Sequence, residues 1–483
     1  MKTISYFVSL FLCISVLNTV PSACAEYPPV PSSGIQLCSI TGDEDTPADF
    51  NRRVGTRHAF SLDFFSFPEV LSGEIATRLD LFVRHCMAAG AIPLLTLETK
   101  GGLNSYSRED IETFIETLAQ YDTPILVRYN HEMNGSWYPW GQQPTLYVSK
   151  FREFAGIAHE NAENVAMAWT PGQGWGYPYA GGAYTGSVDS DPALDTNSDG
   201  VLTSADDPYA PFYPGDEAVD WVGFSLYHWG NTGMNRNEIP TPLKWYHANG
   251  FEDDVPNFHD LYAKNREKPM IVAETSAFYD PTDSSGGGAD EYAIKSGWLN
   301  QIFHFDTNSA YALPMILPEL KAVCWFDRLK YEEELQGDVD WRITGNARAL
   351  AEYAEIAKNP SVVASTRPVD YIESVHAPSS IVPGQRVTVE VRAETSQPRK
   401  LKVNLLTYPE YRYITGASHS VEAGQHDLVF TLNVPTEYVA EHAVFDVLLL
   451  PLDSPDSSAL DHVQPNVSLG VPSLLPILLL VVS

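Results

Sequence analysis

The sequence predicts an α/β chain: a (β/α)8 TIM barrel followed by a small all-β immunoglobulin-like sandwich. Three observations lead there. Short apolar, β-branched stretches recur eight times between residues 34 and 357, with amphipathic helical stretches between several of them. Beyond residue 368 the apolar period changes from the helical value to two. A glutamate stands just past the fourth stretch (Glu132) and another closes the seventh (Glu274), and strand ends are where such a barrel places its chemistry.

Residues 1–25 read as a secretory signal: Lys2, an apolar core from Tyr6 to Val20, and a small-x-small cleavage pattern at Ala23-Cys24-Ala25. Pro21-Ser22-Ala23-Cys24 resembles a bacterial lipoprotein box only faintly. A chain starting at Glu26 keeps Cys38, Cys86 and Cys324, which allows one disulfide at most, so the fold does not rest on a disulfide framework. The chain carries 62 acidic and 30 basic residues, a net charge of −32. Such a surface repels nucleic acid and anionic lipid, and both are discounted as partners.

The barrel is read over residues 26–358. Its strands are expected at 34–40, 56–62, 91–97, 124–129, 165–169, 219–227, 269–274 and 322–326, and helices at 74–89, 107–120, 146–160 and 346–357. The helix at 107–120 opens on Ser107-Arg108-Glu109-Asp110, a capping-box pattern, and carries Ile111, Phe114, Ile115 and Leu118 on one stripe. No GxGxxG follows a first strand, which argues against a doubly wound sheet.

Pro124-Ile125-Leu126-Val127 runs into Arg128-Tyr129-Asn130-His131-Glu132-Met133-Asn134-Gly135-Ser136-Trp137-Tyr138-Pro139-Trp140-Gly141. A carboxylate beside a histidine and three aromatics suits sugar chemistry: carboxylates move protons and attack carbon, and aromatic faces stack on pyranose rings. The seventh strand, Met270-Ile271-Val272-Ala273-Glu274, ends in a charge that is costly unless it emerges at the barrel mouth. A retaining glycosidase needs two such carboxyls about 5–5.5 Å apart.

The segment His131 to Trp140 is similar to the acid/base segment of glycoside hydrolase family 26, in the clan of (β/α)8 retaining glycosidases; a histidine before this glutamate is a trait of that family. The resemblance spans roughly Gly34 to Ala357. It implies Glu132 as acid/base and Glu274 as nucleophile. It implies substrate contacts for His131, which would tune the pocket, and for Trp137. Tyr227 resembles a tyrosine that hydrogen-bonds the nucleophile, and Trp325 the aromatic floor under the reacting sugar. Two positions depart from the mannanases of the family: Ser225 stands where Asp is frequent, and Leu97-Glu98 where a Trp-Glu pair is common. The expected activity is secreted endo-hydrolysis of β-1,4-mannan. The alternatives are the same mechanism on β-1,3/1,4-glucan or xylan, and a non-catalytic polysaccharide-binding wall-surface protein.

Between the fifth and sixth strands, residues 195–206 fit the calcium-loop pattern: Asp195, Asn197, Asp199, Val201 (through its carbonyl), Thr203 and Asp206 at the ligand positions, Gly200 at the turn. Structural Ca2+ is expected here, and no cofactor for catalysis. Asn134-Gly135-Ser136 is a formal glycosylation sequon inside the catalytic segment; Asn466-Val467-Ser468 is the more plausible one.

Residues 359–368 read as a linker and 369–465 as the sandwich, where Val387, Val389 and Val391 alternate with polar residues, as do Leu428, Phe430 and Leu432. Tyr408, Tyr411 and Tyr413 are read as edge packing, with a sugar platform as the alternative. The tail 466–483 ends in an apolar run too short to span a bilayer; with Ser457-Ser458-Ala459 and a polar spacer it resembles a glycolipid-anchor signal. The expected protein is extracellular, monomeric, and either free or anchored at a cell surface, with a polysaccharide as its partner.

Overall fold

The computed structural model describes residues 28–469 except 43–44, 253, 284–287, 334, 437–441 and 457–458. The signal at 1–25 and most of the C-terminal tail lie outside the described residues. Among those described, no helix is long and apolar enough to cross a membrane.

Eight strands close a barrel in sequence order: β1 (Gln36–Ile40), β2 (Phe60–Ser66), β3 (Ile92–Glu98), β4 (Ile125–Tyr129), β5 (Val165–Trp169), β6 (Trp221–Ser225), β7 (Met270–Thr275) and β8 (Leu320–Phe326). Every neighbouring pair is parallel, including β1 with β8. Both faces of such strands are covered, which is why they read as unbroken apolar runs. Alternate residues divide between two cores. Cys38, Leu62, Leu94, Leu126, Ala166, Ile271 and Cys324 fill the interior, while Leu37, Leu95, Val127, Met167, Val272 and Val323 pack outward with the helices. Cys38 and Cys324 face each other across β1 and β8 and form the one disulfide the cysteine count allowed; Cys86 is a buried free thiol.

The strand expected at 56–62 begins later, at Phe60, because the helix Pro47–Val54 precedes it. That helix was not anticipated, although Thr46 and Asp49 form a capping box around Pro47. The box anticipated at Ser107 is present: Asp110 N–H donates to Ser107 Oγ at 3.2 Å, and Ser107 N–H to an Asp110 oxygen at 2.7 Å. After β8 comes an unanticipated hairpin, β9 (Leu329–Glu332) and β10 (Gly337–Asp340).

The segment read as a linker lies along the barrel instead of hanging free. Ile35 N–H donates to Ser361 O, Val363 N–H to Ile35 O, and Ser365 Oγ to Gly90 O. Its polar backbone groups are satisfied by the barrel, so its Pro and Ser content marks a turn sequence. Beyond it come β11 (Tyr371–His376), β12 (Ser380–Ile381), β13 (Arg386–Thr395), β14 (Arg399–Thr407), β15 (Tyr413–Val421), β16 (Gly424–Asn433), β17 (His442–Pro451), β18 (Asp461–Val463) and β19 (Asn466–Leu469). They form two sheets, β11-β13-β16 and β12-β19-β17-β14-β15 with β18 on β17. Val389, Val391 and Phe430 from one sheet share a core with Leu401, Val403, Phe445 and Val447 from the other. Tyr408, Tyr411 and Tyr413 stand 47, 50 and 65% exposed on the edge strand β15 and the turn before it, with the Tyr408 and Tyr411 rings 5.7 Å apart.

Candidate active site

Arg128 is the residue that organises the barrel mouth, and sequence reasoning passed over it. It sits within the apolar strand β4 and is fully buried. A buried guanidinium needs partners. It donates through Nε to Thr170 Oγ1 at 2.6 Å, through Nη2 to Ser225 Oγ at 2.7 Å, and through Nη1 to Glu274 Oε1. The usable signal was the charge itself, alone in an otherwise apolar strand. Ser225, noted earlier as a departure from the mannanase pattern, thus takes one fork of this arginine.

Glu274 ends β7 as expected and is buried. Tyr227 donates its hydroxyl to Glu274 Oε2 at 2.6 Å, so both carboxylate oxygens are held. Burial pushes the Glu274 carboxyl up, but the Arg128 charge with the Tyr227 hydrogen bond outweighs it and holds the group below its ordinary value.

Glu132 lies three residues past β4, in the left-handed region at φ 52°, and Asn130 before it has φ 47°. Such backbone persists only where it is over-determined. Asn130 N–H donates to Leu97 O and Glu132 N–H to Thr170 O, both at 2.9 Å, while the Asn130 carboxamide pairs with Thr99. These bonds to the strand-end backbones on either side aim Glu132 into the mouth. Burial and the neighbouring Glu274 charge push its carboxyl above the ordinary range. The two glutamates therefore differ in proton affinity in opposite senses.

Trp137 donates its indole N–H to Glu132 Oε2 at 2.8 Å and is 41% exposed. Its ring covers Gly135, where a Cβ would meet Cζ2 at 2.3 Å, so only glycine fits beneath it. His131 is buried and held neutral, pushed down to about 3 mainly by burial and next by Arg128. Its Nε2 lies 3.3 Å from Tyr138 Oη and 3.9 Å from Glu274 Oε1. Trp140 is core: its indole N–H caps His131 O at 2.7 Å and its ring stacks on Tyr138. The sequon at Asn134 is not accessible, since that side chain is buried and bonded at both ends to Gly172.

Trp325 is not at the mouth. It is 0% exposed, packs in the outer core, and donates its indole N–H to Trp341 O at 3.0 Å. The reason is strand alternation: Cys324 and Phe326 take the inward positions of β8, leaving Trp325 outside. Phe326 stands instead among the mouth aromatics, 6.0 Å from Tyr227 and 6.5 Å from Phe64 by ring centroid. Trp229 and Trp341, 4.8 Å apart, border Tyr227 on the other side. Glu98, ending β3, pairs with Lys100 at 3.5 Å; burial raises its carboxyl.

The loop 195–206 is a run of side-chain-to-backbone turns. Asp195 accepts from Asp199 and Gly200 N–H, Asn197 from Asp199, Asp199 from Val201, and Asp206 from Thr196 and Thr203. Gly200 takes φ 88°, as the turn position requires. The donors are oxygens, right in kind for calcium. Among the described residues, though, no three His, Cys, Asp or Glu side chains are gathered into a metal-ligand set.

Residues 96–192 match the model of glycosyl hydrolase family 26. Endoglucanase H of Acetivibrio thermocellus is 24% identical over 256 residues, covering 50% of this chain and 22% of that protein. Beta-1,3-xylanase TXYA of a Vibrio species is 22% identical over 298 residues, covering 57% of this chain and 54% of that one. The chain thus spans between a fifth and about half of the length of these curated relatives. Among solved structures, endoglucanase Cel5A of Thermotoga maritima aligns over 66% of this chain and 96% of its own at 12% identity, with a TM-score of 0.40. The matched segment begins inside β3 and carries His131, Glu132 and Trp137 with the strand-end turn that aims them, so over these residues the chain is similar to glycosyl hydrolase family 26.

Proposed function

We propose that the barrel is a retaining endo-β-glycanase, with Glu274 as nucleophile and Glu132 as acid/base. The observation that carries this is the opposite environment of two strand-end carboxylates: Glu274 gripped by Arg128 and Tyr227, Glu132 half-buried beside a second acid. Ionised Glu274 attacks the anomeric carbon while Glu132 protonates the departing glycosidic oxygen. The glycosyl ester removes the Glu274 charge, the reason Glu132 held its proton weakens, and Glu132 then takes a proton from the water that cleaves the ester. Arg128 and Tyr227 receive the carboxylate back when it leaves.

For substrate, β-1,4-mannan is the first reading. Ser225 in place of an acid at Arg128, and relatives named as a β-1,3-xylanase and an endoglucanase, favour a second: a xylan or mixed-linkage β-glucan backbone with the same mechanism. Secretion is part of the proposal, resting on residues 1–25. So are calcium at 195–206, and an immunoglobulin-like C-terminal sandwich beside the barrel.

Reducing-sugar release from mannan, mixed-linkage glucan, cellulose, β-1,3-xylan and β-1,4-xylan is the test. Activity lost in both Glu132→Ala and Glu274→Gly is expected. Full activity in Glu274→Gly sinks the mechanism. Binding without release from any polymer would favour a non-catalytic polysaccharide-binding protein.

A further inference from the structure

The acid/base carboxyl has two oxygens, and the two are not equivalent. An indole N–H donates and never accepts. With Trp137 Nε1 at 2.8 Å, Glu132 Oε2 is an acceptor, so the proton of the neutral acid belongs on Oε1. The donor is held in place from several sides. Gly135 leaves room beneath the ring for the indole alone, and Tyr179 meets it edge-on at 5.0 Å. Tyr179 is itself fixed, its hydroxyl donating to Gln173 O. Gly172, locked by Asn134, faces both Glu132 and the indole; a Cβ there would stand 3.7 Å from Glu132 Cγ and 3.7 Å from Trp137 Cζ2. The remaining ring surface is open, as the 41% exposure records. The glycosidic oxygen that Glu132 protonates joins the reacting sugar to the leaving one, so a ring bonded to the same carboxyl borders the leaving sugar.

We propose that Trp137 is a positioning residue for the acid: its N–H fixes Oε1 as the proton-bearing oxygen, while its open face carries the leaving-group sugar. This rests on the assignment of Glu132 as acid/base. The two duties are separable, because Trp137→Phe keeps a ring and loses the donor, whereas Trp137→Ala loses both.

Trp137→Phe is expected to lower kcat on the polysaccharide about 10- to 100-fold with KM within about two-fold, since orientation of the acid is lost but stacking is kept. The N–H favours the ionised carboxylate, so its removal moves the alkaline limb of the pH profile upward. On a 2,4-dinitrophenyl glycoside, whose leaving group needs no proton, the same variant should form the glycosyl-enzyme at nearly the wild-type rate. Trp137→Ala should add a rise in KM for the polymer. Equal losses on both leaving groups, or an unmoved alkaline limb, would overturn the proposal and leave the tryptophan a structural part of the wall. Titration of Glu132 by carbon-13 NMR in the wild type and Trp137→Phe gives a readout without turnover: an upward shift in the variant is expected, and no shift would also overturn it. Failure of the underlying assignment looks different, since Glu132→Ala would then keep wild-type release from the polymer.

Discussion

Arg128 shows how one side chain can set the proton inventory of a site. It is buried, and its Nη1 holds the Glu274 carboxylate and favours its ionised form. Arg128→Met is expected to reduce kcat by at least about 100-fold. It should also lower stability by about 3–5 kcal/mol, because Glu274 is left as a buried charge with Tyr227 as its remaining close donor. Thermal unfolding and steady-state rates check this; a variant with unchanged melting would mean that water reaches the site freely. The pH profile follows from the same contacts. Glu274 is held below its ordinary value, so the acid limb of kcat/KM lies low; Glu132 is raised, so the alkaline limb lies above the ordinary carboxylate range. In Arg128→Met the acid limb should move up, because the charge that depressed it is gone.

Among the elements, the β6–β7 contact is the least forgiving. A Cβ at Gly223 would stand 1.9 Å from Ile271 O, with Ile271 Cγ2 at 2.8 Å. Gly223 is opposite Ile271 in the pairing that, two residues on, sets Ser225 beside Glu274. Gly223→Ala is expected to destabilise by about 1–3 kcal/mol and to misplace Glu274, so that kcat falls along with the melting temperature. A variant that melts normally and turns over normally would show that the two strands can separate without cost. The elements also show what could be anticipated. Strands with both faces buried declare themselves as apolar runs, and seven of the eight were located close to their observed bounds. The helix Pro47–Val54 and the hairpin β9–β10 are short and mostly polar, so no long period marked them.

At the scale of the molecule, the C-terminal unit is bolted to the barrel. Arg52, on the helix Pro47–Val54, donates to buried Asp461 at 2.6 and 3.1 Å and to Ile372 O at 2.9 Å, and Arg57 pairs with Glu394 at 2.6 Å. Asp461→Asn removes the charge that Arg52 meets there, and about 3 kcal/mol of coupling should go with it. Calorimetry is expected to resolve two unfolding steps in the variant and one in the native chain; a single unshifted step in the variant would place the coupling elsewhere. The loop 195–206 is tested at this scale too. If its oxygens hold calcium, chelator should lower the melting temperature and added calcium restore it. A melting curve indifferent to both, with no metal in the purified protein, removes calcium from the account.

What the sequence determined by itself is everything carried by a strand and the turn that follows it: the eight apolar runs, the glutamates just past the fourth and closing the seventh, the His131–Trp140 segment, and Tyr227 just past the sixth. Each is local, and a strand's end is visible where its apolar run stops. Tertiary structure decided what depends on register and facing. Arg128 and Glu274 lie 146 residues apart and meet only because the barrel closes. Trp325 and Phe326 are neighbours in the chain, yet one turns to the helices and the other to the mouth, since adjacent residues in a strand point to opposite faces and the inward phase of β8 follows Cys324, paired with Cys38. A run of apolar letters does not say which phase faces inward; the closed sheet does.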